Sequence, residues 1–345
     1  MRTNPGTVAL RRGMTLLASL FTVVALLSGC AGTAGTPGAA ASSPARRTPV
    51  RIATLKGPTG VGMVHLMQAQ DAGTTANDYA FTVTAAPEDV VAKVATGDVD
   101  IAAVPTNLAA VLNAKTSGAV QMLAVNTLGV MYIVTDGVPL AGMADLKGRT
   151  IYASGQGSNP EYVLRFLLER NGLDPDTDVH IVWKSEHDEV ATLVAGGDAE
   201  VALLPEPFVT AVTVKNPELA VALDLTTEWT KAVTDGSQLM MGGVIARRDF
   251  VEQHPDAVAA FLTEYAASID QAKTDAETTS ALCEQYGIIP SAAVAKQALP
   301  RLNLTFLAGE DMLAGLQGYF RVLYDADPKA VGGSLPDAGF YYTTR

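Results

Sequence analysis

The feature that most constrains this chain is a short segment written twice. "GDVDIAAVP" begins at Gly97, and "GDAEVALLP" begins at Gly197. Extended without gaps, "EDVVAKVATGDVDIAAVPTNLAAVL" from Glu88 aligns on "DEVATLVAGGDAEVALLPEPFVTAV" from Asp188, with identities at Val90/Val190, Val94/Val194, Ala95/Ala195, Gly97/Gly197, Asp98/Asp198, Ala102/Ala202 and Pro105/Pro205. In each copy, apolar residues at helical spacing precede a glycine suited to a helix C-terminal cap. The run after that glycine is continuously apolar, as in a strand buried on both faces. Upstream, "VRIATLKGPTGVGMVHLMQ" from Val50 and "RTIYASGQGSNPEYVLRFLLERNG" from Arg149 each read as strand, Gly-rich loop and amphipathic helix. The chain is therefore expected to fold as two α/β units with parallel strands and right-handed crossovers, leaving a cleft between two lobes. The period is too long for a solenoid.

Composition narrows the function. With 345 residues, 48% of them hydrophobic and 17% charged, the chain can bury a sizeable core. A net charge of −12 excludes a nucleic-acid partner, because phosphate binding needs a basic surface. Residues 1–29 read as an export signal: Arg2, Arg11 and Arg12 precede an apolar run from Leu16 to Leu27 that is too short to span a bilayer comfortably. The arginine pair at 11 and 12 is a weak pointer to twin-arginine export. The run ends in Leu27-Ser28-Gly29-Cys30, which resembles the lipobox of bacterial lipoproteins and implies lipidation of Cys30. Residues 30–49 are rich in Gly, Ala, Ser and Pro without apolar periodicity, the composition of a flexible tether. Cys283 is then the remaining cysteine and reads as a buried bystander.

In parallel α/β sheets ligands sit beyond the carboxyl ends of the strands. That places the candidate ligand-binding residues in a few loops: Lys56, Gly57 and Thr59; Thr106 and Asn107; Asn126; Gly155, Gln156, Gly157 and Ser158; Ser185 and Glu186; and Glu206. His187, Asp188 and Glu189 also fit a solvated helix start, and Trp183 and Trp229 fit packing roles better than ligand stacking. "SGQGSNPE" lacks the third glycine of a dinucleotide loop and the Lys-Ser/Thr of a P-loop, and its Pro160 is expected at a helix start. The four histidines, at 65, 180, 187 and 254, have no His or Cys partner at ligand spacing. No G-x-S-x-G elbow or evident nucleophile–base set appears, so no enzyme activity, metal or cofactor is expected.

These residues, with "VDIAAVPTNLA" and "YASGQGSNPEYVLRFLLERNGL", resemble the substrate-binding proteins of ABC importers, specifically the nitrate, sulfonate, taurine and thiamine-precursor group. The resemblance implies a two-lobed periplasmic-binding-protein-like fold (type II) with a ligand cleft and a two-strand hinge. Lobe 1 would comprise residues 50–130 and 240–345, and lobe 2 residues 131–239, with "GVMYIVTDG" and "LMMGGVIARRDF" as the crossings. It further implies capture of a small-molecule ligand, hand-off to a permease and its ATPase, and location at the extracytoplasmic face of the cell membrane through the lipid anchor. Glu206, with Glu186 and Glu161, favours a donor-bearing solute such as a thiamine-pyrimidine-like heterocycle over a bare nitrate or sulfonate. No arginine stands at an expected carboxyl strand end, which disfavours a standard amino acid. The alternatives are an exported pyrimidine-precursor enzyme of the same build and a sensory ligand-binding lipoprotein.

Overall fold

The computed structural model describes residues 47–343, so the expected export signal, most of the expected tether and Cys30 lie outside the described residues. Two mixed sheets carry the fold. The first is built from β1 (Pro49–Leu55), β2 (Asp78–Thr84), β3 (Ile101–Pro105), β4 (Val120–Thr127), β10 (Gly242–Arg247) and β11 (Leu304–Ala308), and the second from β5 (Met131–Asp136), β6 (Thr150–Ser154), β7 (His180–Lys184), β8 (Val201–Pro205) and β9 (Leu219–Asp224). Their orders are β11-β4-β10-β3-β1-β2 and β7-β6-β8-β5-β9. Read from β2 and from β7, five strands occur in the same order, so the duplicated segment marks a duplicated sheet.

The helices, in chain order, are α1 (Pro58–Val61), α2 (Val64–Asp71), α3 (Pro87–Thr96), α4 (Thr106–Lys115), α5 (Asn159–Arg170), α6 (His187–Ala195), α7 (Phe208–Lys215), α8 (Leu225–Ala232), α9 (Arg248–Gln253), α10 (Pro255–Thr274), α11 (Ala276–Gln285), α12 (Ala292–Ala298) and α13 (Gly309–Ala326). The repeat folds twice as helix, left-handed glycine and buried strand: α3 and α6 lead to Gly97 at φ 77° and Gly197 at φ 80°, a conformation in which a Cβ is strained. Both strands are sandwiched, because alternate residues enter different cores. Ile101 and Ala103 face one apolar cluster and Ala102 and Val104 another; Val201 and Leu203 separate from Ala202 and Leu204 in the same way.

One correction concerns strand direction. The strands of each repeat unit are parallel, as the sequence suggested, β1 to β2 and β3 and β6 to β7 and β8, but each crossing strand lies inside a sheet and runs against its neighbours. β5 is antiparallel to β8 and β9, and β10 is antiparallel to β3 and β4. The chain crosses between sheets through the irregular residues 128–130 and 233–241. The double glycine at the start of β10 follows from this packing: a Cβ on Gly243 would stand 2.9 Å from the Ala124 carbonyl oxygen, and one on Gly242 2.7 Å from Asn126 Oδ1. An ion pair recurs with the fold. Arg51 on β1 holds Asp100 at 2.6 Å, and Arg149, just before β6, stands 4.0 Å from Glu200, both at the strand ends away from the cleft.

On the far face of the first sheet, α10 buries Val258, Phe261, Tyr265 and Ile269, one per helical turn. Cys283 is buried in the same cluster. The C-terminal stretch has a structural place: Phe340 and Tyr341 enter the core, Tyr341 bridges to Met122, and the Tyr342 amide donates to the Met122 carbonyl, lengthening the β4 pairing beyond β11. The largest apolar cluster runs through both sheets, joined by Phe166 of α5, Trp229 of α8 and Tyr319 of α13, whose rings stand 4.9 and 5.4 Å apart in succession. Among the described residues, no helix is long and apolar enough to cross a membrane.

Candidate functional site

A cavity of about 420 Å³ opens where the carboxyl ends of both sets of parallel strands meet. Leu55, Lys56, Thr59 and the turn from Ala85 to Glu88 line one side; Ser154 to Gln156, Ser158 to Pro160, Trp183 to Asp188, Pro205 and Phe208 line the other. Val130 and Met241 of the crossings, Met131 at the start of β5, and Pro58, Pro105 and Thr127 complete the wall. A second groove of about 490 Å³ lies at the opposite end of the first sheet, but its guanidiniums are spent: Arg247 on Asp249 and the Gly97 carbonyl, Arg248 on the Gly118 and Gly339 carbonyls. The cleft is the better site because its polar groups are less committed.

Four helices of eight residues or more, α3, α5, α6 and α7, turn their first residues to this cavity. The free amides and dipoles of such ends favour an anion. Ser158, the residue before α5, sharpens the point: it is only 3% exposed, its hydroxyl makes no cap bond to its own helix, and it finds no partner among the described residues. A buried hydroxyl left unpaired costs about 1–3 kcal/mol, and the residue that carries it lines the cavity. The cleft also carries two cations, Lys56 and Lys184, and three carboxylates, Glu88, Glu186 and Asp188. Lys184 lies 6.0 Å from the Tyr152 ring. Trp183, Phe208 and Met131 supply apolar wall.

Asn159, the first residue of α5, is 1% exposed and spends every polar atom. Its Nδ2 donates to the Met241 carbonyl at 2.7 Å and to Thr106 Oγ1 at 3.2 Å, and its Oδ1 accepts from the Tyr319 hydroxyl at 3.0 Å. This ties the helix end of the second sheet to the first sheet and a crossing. Pro160 sits second in the helix, one place later than the sequence suggested.

Of the residues proposed from sequence, Lys56, Thr59, Gly155, Gln156, Ser158, Ser185 and Glu186 stand on the cavity wall. The others are corrected by their partners. Gly57 donates its amide to the Ile288 carbonyl, and Gly157 donates its amide to Glu161. Thr106 donates to the Met240 carbonyl behind the wall, and Asn107 turns into the core toward the Ala330 carbonyl. Asn126 donates to the Thr59 carbonyl and accepts Thr127's hydroxyl. Glu206 is fully buried and holds Arg301 at 2.5 Å, with the Thr210 amide donating to its other oxygen. Arg301, after α12, is thus an arginine at a carboxyl strand end that sequence order could not place there.

Sequence reasoning places Ser154, His187 and Phe208 in the loops at the strand ends without choosing them as ligand residues and gives Trp183 a packing role; all four line the cavity. Ser154 Oγ and His187 Nδ1 are 2.5 Å apart. His187 lines the cleft and is half-buried, and burial lowers its pKa to about 4, leaving it neutral at pH 7. The signal for His187 was its place one residue into a helix after a strand end, where the repeat has Pro87. Among the described residues, no group of three or more His, Cys, Asp or Glu side chains is arranged to hold a metal ion.

Over residues 74–292, more than half of its length, the sequence matches the family described as ABC transporter, phosphonate, periplasmic substrate-binding protein. The chain belongs to that family. Members of this family are extracytoplasmic binding components of transporters, not enzymes, and such components bind small ligands and work with a permease and an ATPase. No curated protein matches the sequence significantly. Solved structures share the fold. An ABC transporter protein from Parabacteroides distasonis is 23% identical, with a TM-score of 0.71 over 86% of this chain and 100% of that one. The periplasmic aliphatic sulphonate binding protein SsuA from Escherichia coli is 18% identical, with a TM-score of 0.67 over 85% and 92%. The periplasmic nitrate-binding protein NrtA from Synechocystis PCC 6803 is 16% identical, with a TM-score of 0.53 over 69% and 66%. The fold-sharing structures therefore include the sulfonate- and nitrate-binding proteins that the sequence resembles.

Proposed function

We propose that this binding protein captures a small organic oxyanion, a phosphonate or sulfonate bearing an apolar group, and delivers it to a membrane permease. The observation that carries this reading is the unpaired hydroxyl of Ser158, the residue before α5, which lines a cavity fronted by four helix N-termini. Lys56 and Lys184 add positive charge, and Trp183 and Phe208 offer a surface for the organic group. The earlier preference for a heterocycle rested first on Glu206, and Glu206 is engaged by Arg301 away from the cavity wall. A thiamine-pyrimidine-like ligand stays as the second reading because Trp183 and Glu186 share one wall. Isothermal titration with methylphosphonate, methanesulfonate and an aminopyrimidine separates the two. An oxyanion binds the wild type, and Ser158→Ala weakens it roughly tenfold to a hundredfold, the loss of one hydrogen bond to a charged group. Binding of the aminopyrimidine alone would overturn the choice.

The proposal extends to the membrane. Cys30 would carry the lipid, residues 30–49 would tether the body, and the crossings at 128–130 and 233–241 would form the hinge between a lobe of residues 50–130 and 240–345 and a lobe of residues 131–239. Metabolic labelling with palmitate is expected to mark the wild type and to leave Cys30→Ala unlabelled. Equal labelling of the two would remove the anchor.

A further inference from the structure

Ser154 and His187 form a pair inside the cleft that packing alone does not require. Ser154 closes β6, a strand held between β7 and β8, so its position is fixed by the sheet. His187 opens α6 and stacks beside Phe208 of α7, with ring centroids 5.3 Å apart. Their side chains meet at 2.5 Å, Oγ to Nδ1.

A neutral imidazole has one donor nitrogen and one acceptor, and the bond made by one nitrogen decides the other. If Nδ1 held the proton, it would donate to Ser154 Oγ, and the serine hydroxyl would need another acceptor. Ser154 is 2% exposed, and His187 is its side-chain partner among the described residues. That tautomer would bury an unpaired O–H. With the proton on Nε2, the serine donates to Nδ1 and both groups are satisfied. Nε2–H is then left without a hydrogen-bond partner among the described residues, on a residue that lines the cavity.

Resting on the oxyanion reading above, we infer that Ser154 is a positioning residue that holds His187 as its Nε2–H tautomer, so that the cleft offers an uncharged donor to the ligand oxyanion beside the first turn of α5. The low pKa of His187, caused by burial, agrees with a donor that does not depend on a positive charge. Such a donor differs from Lys56 and Lys184, whose attraction is long-ranged and blind to ligand shape. A directed N–H rewards an oxygen at one place, as expected of a residue that sets specificity.

The tautomer is read directly from long-range proton–nitrogen spectra of the full chain labelled with nitrogen-15. The protein has four histidines, and Ser154→Ala perturbs the His187 ring signal selectively, which assigns it without a variant of the histidine itself. The ligand-free wild type is expected to show a protonated Nε2 and a bare Nδ1. Ser154→Ala is expected to give a mixture of tautomers and to weaken methylphosphonate or methanesulfonate binding roughly tenfold or more, and Ser154→Thr to restore both. A protonated Nδ1 in the wild type, or unchanged affinity in Ser154→Ala, overturns the inference. If neither oxyanion binds the wild type, the reading of the ligand class fails, while the ligand-free tautomer still decides the role of Ser154.

Discussion

Arg301→Ala is expected to destabilise the folded protein by about 1–3 kcal/mol, the cost of leaving a buried acceptor unsatisfied, less than for a wholly buried pair because the Arg301 side chain is 47% exposed. Glu206 is completely buried, and its carboxylate is satisfied by the Arg301 guanidinium at 2.5 Å and the Thr210 amide at 3.1 Å. Arg301 also donates to Thr210 Oγ1 at 2.7 Å, so one side chain serves two acceptors. Removing it leaves the carboxylate without its counter-charge, relieved only by whatever water enters from the flank on which Arg301 is exposed. Because Glu206 follows β8 of the second sheet and Arg301 precedes β11 of the first, the pair also joins the two halves. Urea unfolding followed by circular dichroism measures the effect. Adding Glu206→Gln to Arg301→Ala is expected to recover part of the loss, since the uncompensated charge is then gone. A loss below about 1 kcal/mol for Arg301→Ala would show that the guanidinium, whose side chain is exposed on one flank, is not needed to hold the carboxylate.

Asn159→Ala is expected to cost about 3 kcal/mol or more, and to weaken ligand capture as well. The substitution leaves the Met241 carbonyl and the Tyr319 hydroxyl without their partner in a buried place, at about 1–3 kcal/mol each. It also frees the start of α5, where Ser158 meets the cavity, from the first sheet and the crossing. Tyr319→Phe removes one of these bonds and keeps the ring in the Phe166–Trp229 cluster, so it is expected to cost about 1 kcal/mol. Paired unfolding and titration measurements check both. Wild-type affinity in a destabilised Asn159→Ala protein would show that the α5 terminus is positioned by its own lobe, and not by this network.

The duplicated architecture was legible in the chain because burial leaves a local trace. A strand covered on both faces must be continuously apolar, as "IAAVP" and "VALLP" are, and a helix ending in a left-handed turn asks for glycine, as at 97 and 197. The Gly-rich loops before α1 and α5 were legible for the same reason, and they led to Lys56, Thr59, Gly155, Gln156 and Ser158 on the cleft wall. The parallel strands of each unit were legible from their intervening helices, but the direction of the crossing strands was not, since an apolar strand looks alike whichever way it runs, and β5 and β10 proved antiparallel. Nor was the commitment of polar residues. Glu206 reads like a ligand group until Arg301, 95 positions away, takes its carboxylate, and Asn126 reads alike until Thr59 and Tyr265 take its amide. Conversely, His187 reads as a solvated helix start until Ser154, 33 positions back, takes its Nδ1. Periodicity and turn chemistry are properties of neighbours in the chain, so the sequence alone determined the two α/β halves and the loops that face the cleft. A free hydroxyl, a neutral histidine and a spent carboxylate depend on partners far apart in the chain, and the tertiary structure decided which of those loop residues remain available to a ligand.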